Sequence, residues 1–445
     1  MASGTRPRNR GRTTRAPDPS ASAPAHGRPL PAAAGGVSPG TTHLRARPGQ
    51  VRSSWLQRLL LVELALAALL VGWIVGRVAV VPAAVIAVSL VLAAFARRRG
   101  RSVPDWLSTG RGLQHRLRRA ATLEIPPGTE PALVPALECE PALRTSSCGA
   151  RDRRPVGIVG DGTFVTAVIQ VEADATALRA ERSRQPLPLG IVRDALEVDG
   201  IRLESAQIVL HTQPAPALHL PRQSVAVANY APLQERTGTP AVRLTWVALK
   251  LDPELCPEAV AARGGGLLGA QKCVARTAHH LASRLTGAGF RTTVLTEDEL
   301  VTALATSMCA NPLVTAEAGR TEQRRARTKE SARSWRCDNR RHTTYWIRRW
   351  PQLGGAQASS LPQLVADVTS VPALATTFSL RLSHDTGQEV SLCGHLRVTG
   401  RSDDELVAAR RGLQEAARRS GTGLARLDRE QLPGVLATLP LGGAR

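Results

Sequence analysis

The sequence predicts a mixed α/β (α+β) soluble domain, with a mixed sheet covered by helices, preceded by a two-helix transmembrane hairpin. Three observations carry this. Two apolar runs lie back to back, Leu56–Gly76 and Val78–Ala96. Beyond them, alternating β-branched segments interchange with segments of helical period. An echo also recurs at an offset of 132 residues: Gly289, Leu295, Thr296, Glu299, Leu300 and Leu304 match Gly421, Leu427, Asp428, Gln431, Leu432 and Leu436. Leu281 and Leu413 keep the same spacing upstream. The echo predicts two related strand–helix–strand–helix halves, 155–310 and 324–445.

The apolar runs come first. Runs of about 20 residues at 1.5 Å each match a bilayer core of roughly 30 Å. Gly76-Arg77 predicts a turn at the far surface, because a helix interior disfavours Gly and a bilayer centre disfavours Arg. Arg45, Arg47, Arg52 and Arg58 precede the pair, Arg97, Arg98, Arg99 and Arg101 follow it, and a single Arg lies between. Positive residues stay inside, so the hairpin predicts a multi-pass protein of the cell membrane with both termini cytoplasmic. A signal peptide does not fit, since 55 residues precede the first run and a second follows at once. Glu63 lies within the first run. A proton relay needs a second membrane acid, and none follows, so Glu63 reads as an interfacial or helix-packing residue. Glu63, Gly72 and Gly76 are the candidate helix-packing residues of a hairpin with few other small-residue motifs.

Around the hairpin the organisation is as follows. Residues 1–54 form a basic tail poor in large apolar side chains, which predicts disorder. The hairpin occupies 55–97. Residues 98–154 combine an amphipathic stretch to about Ala121, basic through Arg111, Arg116, Arg118 and Arg119, with a Pro-rich irregular segment, Glu124–Ala150. The domain occupies 155–445. Asp161-Gly162 between β-branched runs predicts a hairpin. Leu189, Val192 and Leu196 share one face of a short helix. Strands are expected at Ala206–His211, Ala241–Leu251, Arg291–Leu295, Ala373–Leu382, Glu389–Thr399 and Leu424–Leu427. Helices are expected at Gly269–Thr286, Thr296–Met308, Ser402–Arg419 and Asp428–Leu439. Thr296 with Glu299, and Ser402 with Glu405, form capping boxes. Cys309–Gln323 reads as a linker.

The formal net charge is +22, of which residues 1–101 contribute +13 from 15 Arg and 2 acids. That places much of the basic character beside anionic lipid. Only Lys250, Lys272 and Lys329 are lysines, against 55 Arg. This usage fits a GC-rich genome and weakens a polyanion reading. Seven cysteines, odd in number and without CxxC spacing, indicate neither a disulfide framework nor a zinc site.

Candidate chemistry is sparse. The Gly264–Gly269 loop formally contains GxGxxG, but Leu251 ends the preceding strand about a dozen residues earlier and no Walker lysine follows, so it reads as a connection. Its rival reading is a membrane-tethered nucleotide-sugar enzyme. His279 and His280 project about 100° apart on a helix and cannot share a metal. His342 and His384 read as isolated. The basic stretch Arg324–Arg341 leads into Trp335–Trp350, which holds four of the 13 aromatic residues. Trp335, Trp346, Trp350, Arg348 and Arg349 are candidate partner contacts, since hot spots favour Trp and Arg. A nucleic-acid platform is the rival here, and a core strand is the reading for Tyr345. No catalytic constellation, metal site or cofactor site is indicated.

Several segments together are familiar. Trp246–Pro257 (WVALKLDPELCP) and Ala259–Gly266 (AVAARGGG) resemble the EccE family of type VII (ESX) secretion systems of actinobacteria. Gly157–Val171, Leu187–Ile201, Glu297–Leu300 and His342–Pro351 extend the resemblance from Leu56 to Leu439. It implies a non-catalytic core and scaffold subunit of a membrane-embedded secretion machine. Its implied companions are EccB, EccC and EccD and membrane lipid, with neither a specific nucleic acid nor a small-molecule substrate. The ATPase of such a machine is EccC.

Overall fold

The computed structural model describes residues 53–95, 97–98, 101–149, 154–173, 186–213, 225, 242–320, 326–351, 360–384 and 389–443. The tail expected over 1–54 lies outside these up to residue 52, as do Arg45, Arg47, Arg52, Arg99 and Arg324.

Helices α1 (Ser53–Val75) and α2 (Arg77–Phe95) pack against each other and turn at Gly76 with φ 123°. Ala65, Gly72, Ala83 and Ala87 are buried where small side chains let two helix backbones approach. The hairpin is therefore not poor in self-packing contacts, and Gly72 is used inside it rather than offered outward. Gly76 has nothing near its missing Cβ, and Glu63 is exposed. Among the described residues no helix is long and apolar enough to cross a membrane.

One sheet of 12 strands organises the rest. The first six are β1 Arg144–Cys148, β2 Val156–Gly160, β3 Val165–Ala173, β4 Ser205–Gln213, β5 Val242–Leu251 and β6 Phe290–Val294. The second six are β7 Thr328–Glu330, β8 Trp335–Cys337, β9 Arg340–Arg349, β10 Ala375–His384, β11 Val390–Gly400 and β12 Gly423–Arg426. Their order is β7-β8-β9-β11-β10-β4-β5-β3-β2-β1, with β6 beside β3 and β12 beside β9. The sequence of neighbours in one half thus mirrors that in the other across the β4–β10 contact.

Every pairing in this sheet is antiparallel, which corrects the expected mixed sheet. The strand–helix–strand connections are present, but each skips one position. An antiparallel strand then fills the gap: β5 between β3 and β4, and β11 between β9 and β10. This is the split β-α-β-β-α-β arrangement, ferredoxin-like in its order.

Helices cover both faces. On one face α5 (Leu189–Asp194), α7 (Gly266–Gly287), α10 (Leu361–Thr369) and α11 (Asp403–Arg419) bury Val192, Leu281, Leu364 and Leu413. These pack with the inward-facing Ile169, Leu249, Phe378 and Leu396 of the sheet. On the other, α4 (Val134–Cys139), α8 (Glu297–Ser307) and α12 (Gln431–Thr438) meet Val159, Val168, Trp246 and Trp335. The caps fall where the pattern put them: Thr296 N donates to Glu299 Oε2 at 2.9 Å, and Ser402 Oγ accepts from Glu405 N at 3.2 Å. Three expectations fail locally. The stretch 124–150 holds α4 and β1, and the linker after Cys309 holds α9 (Pro312–Ala318). The last helix starts at Gln431, because Asp428 pairs with Arg426 instead of capping.

Candidate functional site

The hairpin is tied to the domain by α3 (Val103–Ala121). Its basic face was expected to lie on a membrane, but Arg116 turns inward. Arg116 Nε donates to Glu330 Oε2 at 2.8 Å, and its Nη2 donates to Glu330 Oε1 at 3.0 Å and Arg429 O at 2.6 Å. Glu330, whose side chain is 5% exposed, also accepts from Leu432 N. A bidentate pair of this geometry fixes orientation as well as adding energy. Between α3, α4 and α12 lies a cavity of about 520 Å³, lined by Leu117, Leu123, Trp335 and Leu436 with Lys250 and Lys329.

The aromatic strip does not form one surface. Strand alternation divides it. Trp335 is 1% exposed and lies against His342 with ring centroids 5.0 Å apart and the rings tilted by 50°, so it is a core residue and not a partner contact. Tyr345 is buried, as expected. Trp350 is half-buried against Gly394, on the opposite face of the sheet from Trp346. Trp346, at 39% exposure, remains on the surface with Arg348 and Arg349. The basic stretch before it is divided too: Arg327 is buried on Asp338 at 2.8 Å and Arg340 is also buried.

A buried polar layer went unread. Thr344, Arg397, Thr377 and His211 lie in one cross-strand row over β9, β11, β10 and β4. All four are within 1% of full burial. Arg397 Nη2 donates to Ser307 O, and no carboxylate is bonded to it among the described residues. His211 Nδ1 meets Thr377 Oγ1 at 2.9 Å, and Thr399 Oγ1 meets His342 Nδ1 at 2.9 Å. His342 is thus not isolated. Burial, then the Arg397 charge, holds His211 down to about 3 and His342 well below the ordinary histidine range. Burial and Arg381 hold His395 down to about 4. Burial likewise raises the thiols of Cys139, Cys309 and Cys337. At neutral pH these groups are uncharged. The available signal was polar alternation, Thr377/Ser379 and Arg397/Thr399, in strands too central to face water.

The glycine loop is a backbone device. Gly264, Gly265 and Gly266 have φ of 109°, 68° and 55°. A Cβ on Gly269 would lie 2.3 Å from Val260 O, so α6 (Pro257–Ala261) sits directly on α7. Helix α6 separates β5 from the loop, which is therefore not the strand-to-helix turn a dinucleotide fingerprint requires. No group of three or more metal-binding side chains occurs among the described residues.

Helix α3 thus holds an apolar helix pair against an α+β domain whose strand order is mirrored about the β4–β10 contact. Residues 239–347, from the start of β5 through most of β9, match a model of type VII ESX secretion system translocon components. Its description is EccE, putative type VII ESX secretion system translocon, and the match supports an EccE assignment over these residues. No curated protein matches the chain.

Proposed function

We propose that the chain is a non-catalytic membrane anchor and scaffold of a type VII secretion machine. The observation that carries this is the hairpin surface. Leu60, Leu66, Leu70, Trp73, Val85 and Leu92 are each more than half exposed. An apolar face of this extent is a membrane or partner surface. In this reading the hairpin inserts with both termini cytoplasmic. Outward-facing Glu63 and Trp346 with Arg348 and Arg349 contact other subunits, with EccB, EccC and EccD as the companions. The neutral, buried histidines and thiols favour a structural role over acid–base chemistry. The mirrored strand orders favour two related halves in the domain.

The test is gentle detergent extraction of tagged full-length chain, with identification of co-purifying proteins. Deleting Leu56–Ala96 should leave a folded domain that no longer accompanies the complex, and type VII secretion should stop. Secretion at normal levels without this chain would end the scaffold reading.

A further inference from the structure

The two ends of the sheet are finished differently. At one end, outer strand β7 is plugged. Glu138 of α4 accepts from Arg327 N at 2.9 Å and from Thr328 N at 2.6 Å, and Arg116 grips Glu330 at the strand's other end. At the opposite end, β1 pairs with β2 alone, and no comparable cover lies on it among the described residues. An outer strand leaves about half of its backbone amides and carbonyls facing outward. Among the described residues, the hydrogen bond from α7 to β1 is that of Gln271 Nε2, which donates to Ser146 Oγ at 2.9 Å.

Beside this edge runs a cavity of about 630 Å³, bounded by Cys148 and Gly149 and by one stripe of α7. Leu268, Lys272, Arg276, His279 and Ser283 recur along that stripe at helical spacing. No carboxylate lines it. Arg276 reaches sideways to Asp199 at 3.0 Å. Lys272 is exposed, and no carboxylate pairs with it among the described residues. It is one of only three lysines, and all three line the two cavities described here. A compact ammonium suits a pairing that need not be planar or bidentate.

We infer that β1 and the α7 stripe together bind an extended acidic segment of another polypeptide, added to the sheet beyond β1. Its backbone completes the ladder, and its acidic side chains on the α7 side meet Lys272 and Arg276. Main-chain bonds give affinity and alternate side chains give selectivity in such strand addition. The inference deepens the scaffold reading and rests on it only for the source of the segment.

The probe is a fluorescein-labelled peptide of about nine residues alternating Glu and Val. Binding to the full chain in detergent is followed by anisotropy, so the result is independent of whether the chain co-purifies with secretion subunits. Saturable binding is expected, weakened about tenfold or more by Lys272→Glu and further by Lys272→Glu with Arg276→Glu. Methylating alternate amides of the peptide should abolish it, because the ladder is then lost. The single Lys272→Glu change removes no bonded partner among the described residues, which keeps the test clear of misfolding. Absence of binding, binding indifferent to Lys272→Glu, or equal binding of the methylated peptide would each overturn the inference. So would tighter binding of a single-stranded oligonucleotide that competes with the peptide.

Discussion

Val168, Trp246 and Ala248 in the first half and Thr344, Arg397 and Thr377 in the second lie on the same face of one sheet. Both sets are buried. The first half packs that face with hydrocarbon against α8. The second packs it with hydroxyls, imidazoles and a guanidinium, satisfied in part by Ser307 O at the end of α8 and by Gln431 of α12, whose Oε1 accepts from Thr344 N. The opposite face is apolar in both halves, through Leu281 in α7 and Leu413 in α11. The comparison teaches that strand order and helix placement constrain only one face. The other face carries either chemistry, and in the second half Arg397 Nε and Nη1 stay without a hydrogen-bond partner among the described residues.

Four measurements test this contrast. The largest effect should come from the shared apolar face. Leu281→Ala and Leu413→Ala each remove a fully buried side chain, and each should cost about 2–5 kcal/mol in denaturant melts. Similar costs support equivalence of the halves, whereas a cost below about 1 kcal/mol at either site denies it a core role.

Next comes pH. His211 and His395 are held down to about 3 and about 4, and His342 also lies below its ordinary value. In the unfolded chain each titrates near 6.5. Unfolded molecules therefore take up protons that the fold refuses. Stability is complete above about pH 6.5 and declines as pH falls toward 4, by up to about 1.4 kcal/mol per pH unit for each histidine. Urea melts at successive pH values should show the decline, and His211→Gln with His342→Gln should flatten it. An unchanged slope in that variant removes these residues from the account.

A smaller effect belongs to the first half's connection. Gly266 has φ 55°, so Gly266→Ala should cost about 1–2 kcal/mol in thermal melts. A stabilised variant would mean that the loop adopts another backbone. The smallest effect is expected at Arg397. It is buried without a bonded carboxylate among the described residues. Arg397→Met should therefore leave stability within about 1 kcal/mol or raise it. A loss above about 3 kcal/mol would show that the polar layer is a tightly coupled network.

Local patterning was enough to specify two adjacent apolar helices and the turn at Gly76. The same holds for the capped starts of α8 and α11, the Asp161-Gly162 turn, and most strands of the sheet, but not for β1, β7 or β8. These are local: period, caps and turn residues act within a few positions of the chain. The 132-residue echo was legible for the same reason. Only tertiary structure decided which strands became neighbours. A strand's alternation specifies two faces but not the identity of either edge, so the skipped positions that make the sheet antiparallel left no local mark. The fates of individual polar and aromatic residues were decided the same way. Trp335 and Trp346 differ little in sequence context, yet one is core and one is surface. Arg116 and Arg397 look like any arginine in a chain with 55 of them, and only the approach of Glu330 and of Ser307 from distant positions gives each its role.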